Sequence, residues 1–238
     1  MKRAALALLV VLPAAQAHAG RTLYGWLIET DTVGDGAVEL GTSLYEHDQL
    51  GPYHVRSTSL AWTPAIGLLP CLELAIPVEL VTRTQDDAAP YGGIARYGAE
   101  LRYGFARRVP GLHPLARFAL SRDVELQTQV RGELELAASY ETGRVQVEGD
   151  AGLVVDVNFG HVHRELRPGA GASVLVARGL RLGGELHAEL SGDATVPSWA
   201  VLGPDLAWAR GRFWLAGALG FGLHAITVAP RVNLGIAW

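Results

Sequence analysis

Few residues in this chain combine the types and spacing that acid–base or nucleophilic chemistry needs. Ser191 lies four residues after His187 and two before Asp193, so a hydroxyl, a base and an orienting carboxylate occur within one short stretch. Asp86 and Asp87 form an adjacent acidic pair. Neither group lies in a recognised catalytic motif, and loops commonly carry such residues. We therefore expect that the protein is not an enzyme.

Metal, cofactor and nucleic-acid sites are also poorly represented. His161 and His163 are followed by Glu165, but two imidazoles in a loop without a third ligand are more often solvated than metal-bound. Cys71 is the only cysteine, which excludes a disulfide framework or a CxxC site. There is no phosphate-binding glycine loop or dinucleotide fingerprint, and a net charge of -4 excludes a strongly basic nucleic-acid binder. We expect no metal, no cofactor and no nucleic-acid partner.

Most of the remaining charged residues alternate with apolar residues at every second position. Glu133 and Glu135 are interleaved with Leu134 and Leu136, for example. In a β-strand, successive side chains point to opposite faces, so each such run has one apolar face and one charged face. The chemistry of this sequence therefore depends on which way those two faces point.

About twelve runs of this kind follow one another from Gly36 to the C-terminus. The stretch 213–230 contains no Asp, Glu, Lys or Arg and approaches the length of a transmembrane helix, but glycines interrupt it and its apolar residues keep the two-residue period. It is interpreted as two strands joined near 222–224. The predicted strands are 36–47, 54–64, 69–82, 94–106, 112–122, 129–140, 143–157, 168–178, 180–191, 198–209, 211–222 and 226–238.

The connections between these runs alternate between short and long. Short turns are predicted at 64–69, 107–111, 141–143, 178–180 and 209–211, and longer polar loops between them, including one at 158–168. This alternation is typical of bacterial outer-membrane barrels, with the short turns and both chain ends in the periplasm. The sequence thus predicts an all-β fold, an antiparallel up-and-down transmembrane β-barrel with 12 strands.

Aromatic residues support the same arrangement, because outer-membrane barrels carry a band of amphipathic rings at each membrane surface. One predicted band lies near the short turns and the other near the longer loops. The first contains Trp62, Tyr103, Phe105, Tyr140, Trp208, Phe213 and Trp238, and the second contains Tyr45, Tyr97, Phe159, Trp199 and Phe221.

The chain begins with the features of an exported protein. Lys2 and Arg3 precede a short apolar run, and Ala17-His18-Ala19 is a small-x-small cleavage site. The predicted organisation is a signal peptide at 1–19, a short periplasmic lead-in at 20–35, and an outer-membrane barrel at 36–238.

Two stretches carry resemblances to known families. The alternating strand from Arg231 to the terminal Trp238 resembles the insertion signal of Gram-negative outer-membrane barrels, which implies contact with their assembly machinery and with outer-membrane lipids. The segments 29–32 and 34–40, with 72–77 and 101–105, are similar to a family of outer-membrane transporters linked to the phenol meta-cleavage pathway. That second resemblance implies uptake of hydrophobic or aromatic solutes.

If the apolar face meets lipid, the charged face lines the lumen. The prediction is then a narrow passive channel for small solutes, with both signs of charge along its wall. Two alternatives stay open: a barrel filled by Arg–Glu pairs that conducts nothing, and a soluble lipocalin-like barrel whose apolar face points inward around an apolar ligand. The predicted lumen residues are Glu73, Glu79, Arg96, Glu100, Arg102, Glu133, Glu135, Arg144, Glu148, Asp150, Arg181, Glu185, Glu189 and Arg231.

Overall fold

The computed structural model describes residues 23–49, 55–85, 89–105, 109–124, 129–194 and 196–238. The predicted signal peptide and the acidic pair Asp86-Asp87 lie outside these residues. Within them, no helix is long and apolar enough to cross a membrane.

The described residues form strands joined by turns and loops, in a single antiparallel sheet. The strands are β1 (Val38–Gln49), β2 (Val55–Leu69), β3 (Leu72–Ala75), β4 (Val78–Gln85), β5 (Tyr91–Gly104), β6 (Leu112–Asp123), β7 (Val130–Thr142), β8 (Val145–Asn158), β9 (His161–Ala177), β10 (Leu180–Ser191), β11 (Trp199–Arg210), β12 (Phe213–His224) and β13 (Val228–Ala237).

β3 and β4 together occupy one strand position. Both pair with β2 on one side and with β5 on the other. They are separated at Ile76-Pro77, where proline has no N–H to give to a sheet ladder. The described sheet therefore has twelve strand positions, and the predicted number is confirmed.

The sheet closes on itself through β1. Tyr45 lies opposite Ser59 of β2 and opposite Arg231 of β13, so the first and last strands are hydrogen-bonded to each other. A closed barrel leaves no unpaired strand edge. The apolar stretch at 213–230 is divided between β12 and β13, as predicted.

The apolar face of the sheet points outward. Leu134 is 49% exposed and Leu136 is 57% exposed, whereas the alternating Glu133 and Glu135 point inward. Large exposed apolar side chains recur in this way on strands all round the barrel. An exterior of this kind suits lipid and the interior is polar, so the lipocalin-like alternative is wrong.

The short turns and the C-terminal Trp238 lie at one end of the barrel, which we call the turn end; the opposite end is the loop end. Gly143, Gly179 and Gly211 in the short turns have φ of 61–72°, a left-handed conformation that glycine adopts without steric cost. The predicted loop at 158–168 is wrong. β9 already begins at His161, and Phe159-Gly160, both with positive φ, make a two-residue hairpin turn.

The aromatic bands are only partly as predicted. Tyr103 and Phe213 are exposed on the outside near the turn end, whereas Trp62, also exposed, lies midway along β2. Tyr45 and Trp199, which the sequence pattern assigns to the band at the other end, instead point into the lumen and contact Trp26. Both residues occupy positions of the two-residue alternation that belong to the charged, inward face. The strand position therefore decides where these rings point, despite the general preference of aromatic rings for membrane surfaces.

The segment from 23 to 35, predicted to precede the barrel in the periplasm, lies inside the lumen. Asp35 bridges to Gly67 at the turn end, and Val33 packs on Ala65 and Ala75 of the inner wall. A Cβ on Gly67 would meet the Gly34 carbonyl oxygen at 2.0 Å, so only glycine permits this approach. A twelve-stranded barrel is wider than its own side chains fill, which leaves room for a piece of chain.

Candidate functional site

Most of the residues predicted to line the lumen point into it, and one does not. Arg144 is exposed in the turn between β7 and β8, because β8 begins one residue later, at Val145. The residues that point inward are Glu73, Glu79, Arg96, Glu100, Arg102, Glu133, Glu135, Glu148, Asp150, Arg181, Glu185, Glu189 and Arg231.

A network of ion pairs covers the inner wall of β5, β6 and β7. Arg117 places its Nη2 atom 2.7 Å from Glu100, and its Nη1 atom lies 2.8 Å from Glu133 and 2.6 Å from Glu135. Arg102 pairs with Glu100 on the same strand and with Glu29 of the N-terminal segment. The Arg117 guanidinium thus binds three carboxylates. These ion pairs compensate for the free energy lost when the charges are removed from bulk water.

Further ion pairs continue toward the loop end. Arg96 Nε lies 2.9 Å from Glu79, and Arg131 Nε lies 3.1 Å from Asp156. Arg167 pairs with Glu165 on the same strand, and its Nη2 atom lies 3.2 Å from Glu189. Except for Arg167–Glu165, these pairs join strands that are neighbours in the wall.

Some members of this network are not among the residues predicted to line the lumen, including Arg117, Arg131, Arg167 and Glu165. The sequence alone could have identified them, since each of the four continues the two-residue alternation of its strand. In β6, however, the inward positions also include Leu115 and Ala119, so the charged face of that strand is not uniformly polar. In β9, the charged residues fall in the stretch predicted as a loop.

On the other side of the lumen, the wall holds the N-terminal segment by its backbone. The Glu185 carboxylate accepts hydrogen bonds from the N–H groups of Gly25, Trp26 and Leu27, at 3.0, 2.9 and 3.3 Å. The Asp150 carboxylate accepts one from Ile28 at 2.9 Å. Hydrogen bonds to ionised acceptors are stronger than those to neutral ones, so these carboxylates fix the path of the segment.

Other contacts extend the attachment along the segment. Glu73, which is fully buried, accepts a hydrogen bond from the Val33 N–H at 2.8 Å. Asn233 Nδ2 donates to the Gly25 carbonyl at 3.0 Å. The Tyr24 hydroxyl donates to the Gln146 carbonyl at 3.3 Å, and burial raises the pKa of Tyr24 to about 12. Tyr24 therefore remains a neutral hydrogen-bond donor at physiological pH.

Trp26 is the centre of an aromatic cluster in the lumen. Its ring stacks on His47 and His187 with centroid distances of 5.4 Å in both cases, and meets Trp199 edge-on at 5.6 Å. The Arg231 guanidinium lies over the Trp26 ring at 5.1 Å. The cluster therefore binds the bend of the segment to β1, β10, β11 and β13.

Between the segment and the ion-pair wall, a cavity of about 460 Å³ remains. Its described lining includes eight carboxylates and seven guanidinium groups, together with the hydroxyls of Ser43, Ser57 and Ser59. It extends from Glu39 near the turn end to Arg83 and Asp123 near the loop end. The space is polar, contains both signs of charge and is too small for a macromolecule.

The candidate catalytic residues do not come together. The Ser191 hydroxyl is engaged with the backbone of Asp193 in a local turn, at 3.0 Å, while His187 lies against Trp26 in the lumen. His163 Nε2 lies 4.0 Å from Glu165 on β9, whereas His161 is exposed at the loop end. Among the described residues, no group of three metal-ligating side chains is found.

Trp238, the predicted insertion signal, directly follows β13. Its N–H donates to the Val38 carbonyl at 2.8 Å, so the last residue still pairs with the first strand. Its ring is exposed on the outside. Recognition by the assembly machinery stays a prediction.

No protein-family model and no curated protein sequence matches this chain. Solved structures do match in fold. An outer-membrane channel from Pseudomonas putida F1 has 12% sequence identity and a TM-score of 0.62, covering 88% of this chain and 98% of that one. The translocator domain of the autotransporter NalP from Neisseria meningitidis has 11% identity and a TM-score of 0.58, covering 88% and 90%.

A third similar structure is the CymD monoaromatic hydrocarbon channel, with 8% identity and a TM-score of 0.50, covering 86% of this chain and 88% of that one. At such low identities the likeness concerns the fold. The chain has the fold of an outer-membrane β-barrel.

Proposed function

We propose that this protein is an outer-membrane channel for the passive passage of small solutes. The observation that carries the proposal is the polar cavity of about 460 Å³ inside a closed barrel whose outer face is apolar. Such a barrel is stable in lipid because its backbone groups are paired around the ring. The cavity then provides the aqueous part of a route across the membrane.

The width and the charge of the lumen determine which class of solute can pass. The N-terminal segment occupies part of the lumen, and the ion pairs reach in from the wall, so passage is narrow. Because eight carboxylates face seven guanidinium groups, the charges nearly cancel and most are paired. This favours small polar solutes over large or highly charged ones. The passage needs neither a cofactor nor a chemical step.

The orientation follows from the same barrel rules. Short turns of outer-membrane barrels face the periplasm, so we place the turn end there and the loop end outside. Export by a signal peptide at 1–19 and insertion by the assembly machinery through the Trp238 strand belong to this proposal. Two of the similar structures are described as channels, one of them for monoaromatic hydrocarbons, which supports the general role.

Liposome swelling tests the proposal. Folded protein is reconstituted into vesicles, which are then diluted into isotonic solutions of neutral solutes of increasing size, such as glycerol, arabinose and a trisaccharide. We expect swelling that is fast with glycerol, slower with arabinose and absent with the trisaccharide. Protein-free vesicles, and vesicles with heat-denatured protein, are the controls. Swelling no faster than in the controls, from protein shown to be folded, would establish a filled barrel instead.

A further inference from the structure

Arg231 differs from the other inward-pointing arginines in its partners. Six described arginines with buried or half-buried side chains have a carboxylate oxygen within 4 Å: Arg96, Arg102, Arg117, Arg131, Arg167 and Arg181. For Arg231, no carboxylate lies within that distance among the described residues. Arg83, which also lines the cavity, is exposed at the loop end.

The Arg231 side chain is nevertheless held in a defined position. Its guanidinium carbon lies 5.1 Å from the centroid of Trp26 and 5.2 Å from that of Tyr45, so two ring faces support it by cation–π attraction. Its Nε atom donates to Asn233 Oδ1 at 3.4 Å. The terminal nitrogens have no described protein acceptor and are not among the buried unpartnered atoms, so they face the cavity that Arg231 lines.

The carboxylates nearest in the lumen are already engaged. Glu185 accepts three N–H groups of the N-terminal segment. Glu79 binds the Tyr45 hydroxyl and Arg96, and Glu189 binds Trp199 Nε1 and Arg167. Turning any of them to Arg231 would break these interactions. A half-buried guanidinium that faces the cavity without a paired carboxylate keeps its positive potential, so the site is complementary to a mobile anion.

We propose that Arg231 forms a binding subsite for the carboxylate of a small organic acid. Two parallel N–H groups of a guanidinium match the two oxygens of a carboxylate. Ser43, opposite Asn233 in the β1–β13 register, adds a hydroxyl at the next inward position. A cavity of about 460 Å³ accommodates the body of a small organic molecule.

The charge of the preferred acid follows from the surroundings. A single unpaired guanidinium neutralises one negative charge. Glu79, Glu185 and Glu189 lie around the same aromatic cluster, and they repel a second negative charge. The subsite therefore favours monocarboxylates over dicarboxylates and phosphate. This inference rests on the proposed function, because it names the solute class that the channel takes up.

Benzoate and benzyl alcohol are suitable probes, since they differ in the carboxylate. Binding to the folded protein in detergent is measured by saturation-transfer NMR for the natural chain and for Arg231→Gln and Arg231→Lys. We expect saturable benzoate binding that is weakened about tenfold by Arg231→Gln, which corresponds to one charge-assisted contact. Arg231→Lys should weaken it less, because it keeps the charge and loses the planar fork. Benzyl alcohol should bind all three alike.

Arg212→Gln is the matched control, because it removes the same charge from an exposed turn outside the lumen. Heat-shifted gel migration shows that each variant is folded. Equal benzoate binding by the natural chain and by Arg231→Gln would overturn the inference, even where vesicle swelling shows a working channel. Arg231-dependent binding by a protein that supports no swelling would uphold the subsite and overturn the channel function instead.

Discussion

At the residue scale, the lumen is organised by carboxylates that serve two different kinds of partner. On the β5–β7 wall, Glu100, Glu133 and Glu135 bind arginine side chains. On the opposite wall, Glu185 and Asp150 bind backbone N–H groups of the N-terminal segment. The first set stabilises the wall itself, whereas the second set helps to hold the segment in the lumen.

Replacing Glu185 by Gln should loosen the segment without opening the barrel. The amide keeps one acceptor oxygen but loses the charge, so the three hydrogen bonds weaken by about 2 kcal/mol in total. Amide hydrogen exchange of Gly25, Trp26 and Leu27 should then accelerate by about thirtyfold, as measured on the folded protein by NMR or mass spectrometry.

Glu46→Gln is the control for that measurement, because Glu46 pairs with the exposed Arg56 and does not contact the segment. Exchange of the strand amides should be unchanged in both variants. Unaltered protection of residues 25–27 in Glu185→Gln would contradict the role given to this carboxylate.

A charge on the outer face should be costly in proportion to its depth in the bilayer. Leu136 is 57% exposed near the middle of β7, and Leu69 is 53% exposed at the turn end of β2. Leu136→Arg should lower the free energy of unfolding by about 2–4 kcal/mol and Leu69→Arg by about 0–1 kcal/mol. Urea titration of the protein in lipid vesicles measures both. Equal costs would contradict a lipid-facing Leu136.

At the element scale, the N-terminal segment and β9 fit each other because glycines on the strand leave room for the segment. A Cβ on Gly171 would lie 2.6 Å from Tyr24 Cε1 and 2.8 Å from Leu27 Cδ1, and one on Gly169 would lie 2.4 Å from Leu27 Cδ2. These neighbouring atoms belong to side chains of the segment. A larger residue at Gly169 or Gly171 therefore requires that the side chains of the segment move away from β9.

Gly171→Val should displace the segment while the barrel stays closed. We expect faster cleavage by chymotrypsin at Tyr24, Trp26 or Leu27 in the folded protein, by about tenfold if the substitution destabilises the docked segment by about 1.4 kcal/mol. Gly132→Val is the matched control, since a Cβ on Gly132 meets nothing within 4 Å. Identical cleavage of the two variants would show that the position of the segment does not depend on Gly171.

The strands are predictable from the sequence, whereas the position of the segment is not. A period of two fixes which side chains share a face, so the pattern alone places Glu133 and Glu135 in the lumen. Residues 23–35 have no such period. Their position depends on acceptors such as Glu185, which is about 160 residues away along the chain. The Phe159-Gly160 turn is not predicted, because the polar residues that follow it resemble a loop in composition. In the structure these residues continue the alternation of β9.

At the scale of the whole molecule, the barrel separates two environments. Its outer surface carries exposed leucine, valine and aromatic side chains, and its interior carries the ion pairs. Because the ring of hydrogen-bonded strands is closed and leaves no free strand edge, we expect the barrel to resist unfolding by detergent at room temperature.

Fractionation of the native host should recover the protein in the outer membrane, and the unboiled sample should migrate differently from the boiled one on a gel. The folded barrel is more compact than the detergent-saturated chain, which is the physical cause of the shift. Recovery in the soluble periplasm, with one band under both conditions, would contradict a membrane barrel.

Solutes should cross the membrane through the lumen, beside the N-terminal segment. Single-channel recording of Ser43→Cys, in a Cys71→Ser background, measures this passage. Ser43 lines the cavity, while the adjacent Leu44 is exposed on the outer face, so Leu44→Cys is the control. We expect discrete current steps that a charged thiol reagent reduces in Ser43→Cys and leaves unchanged in Leu44→Cys. If the reagent does not alter the steps in Ser43→Cys, or if folded protein gives no steps, solutes do not cross through this lumen.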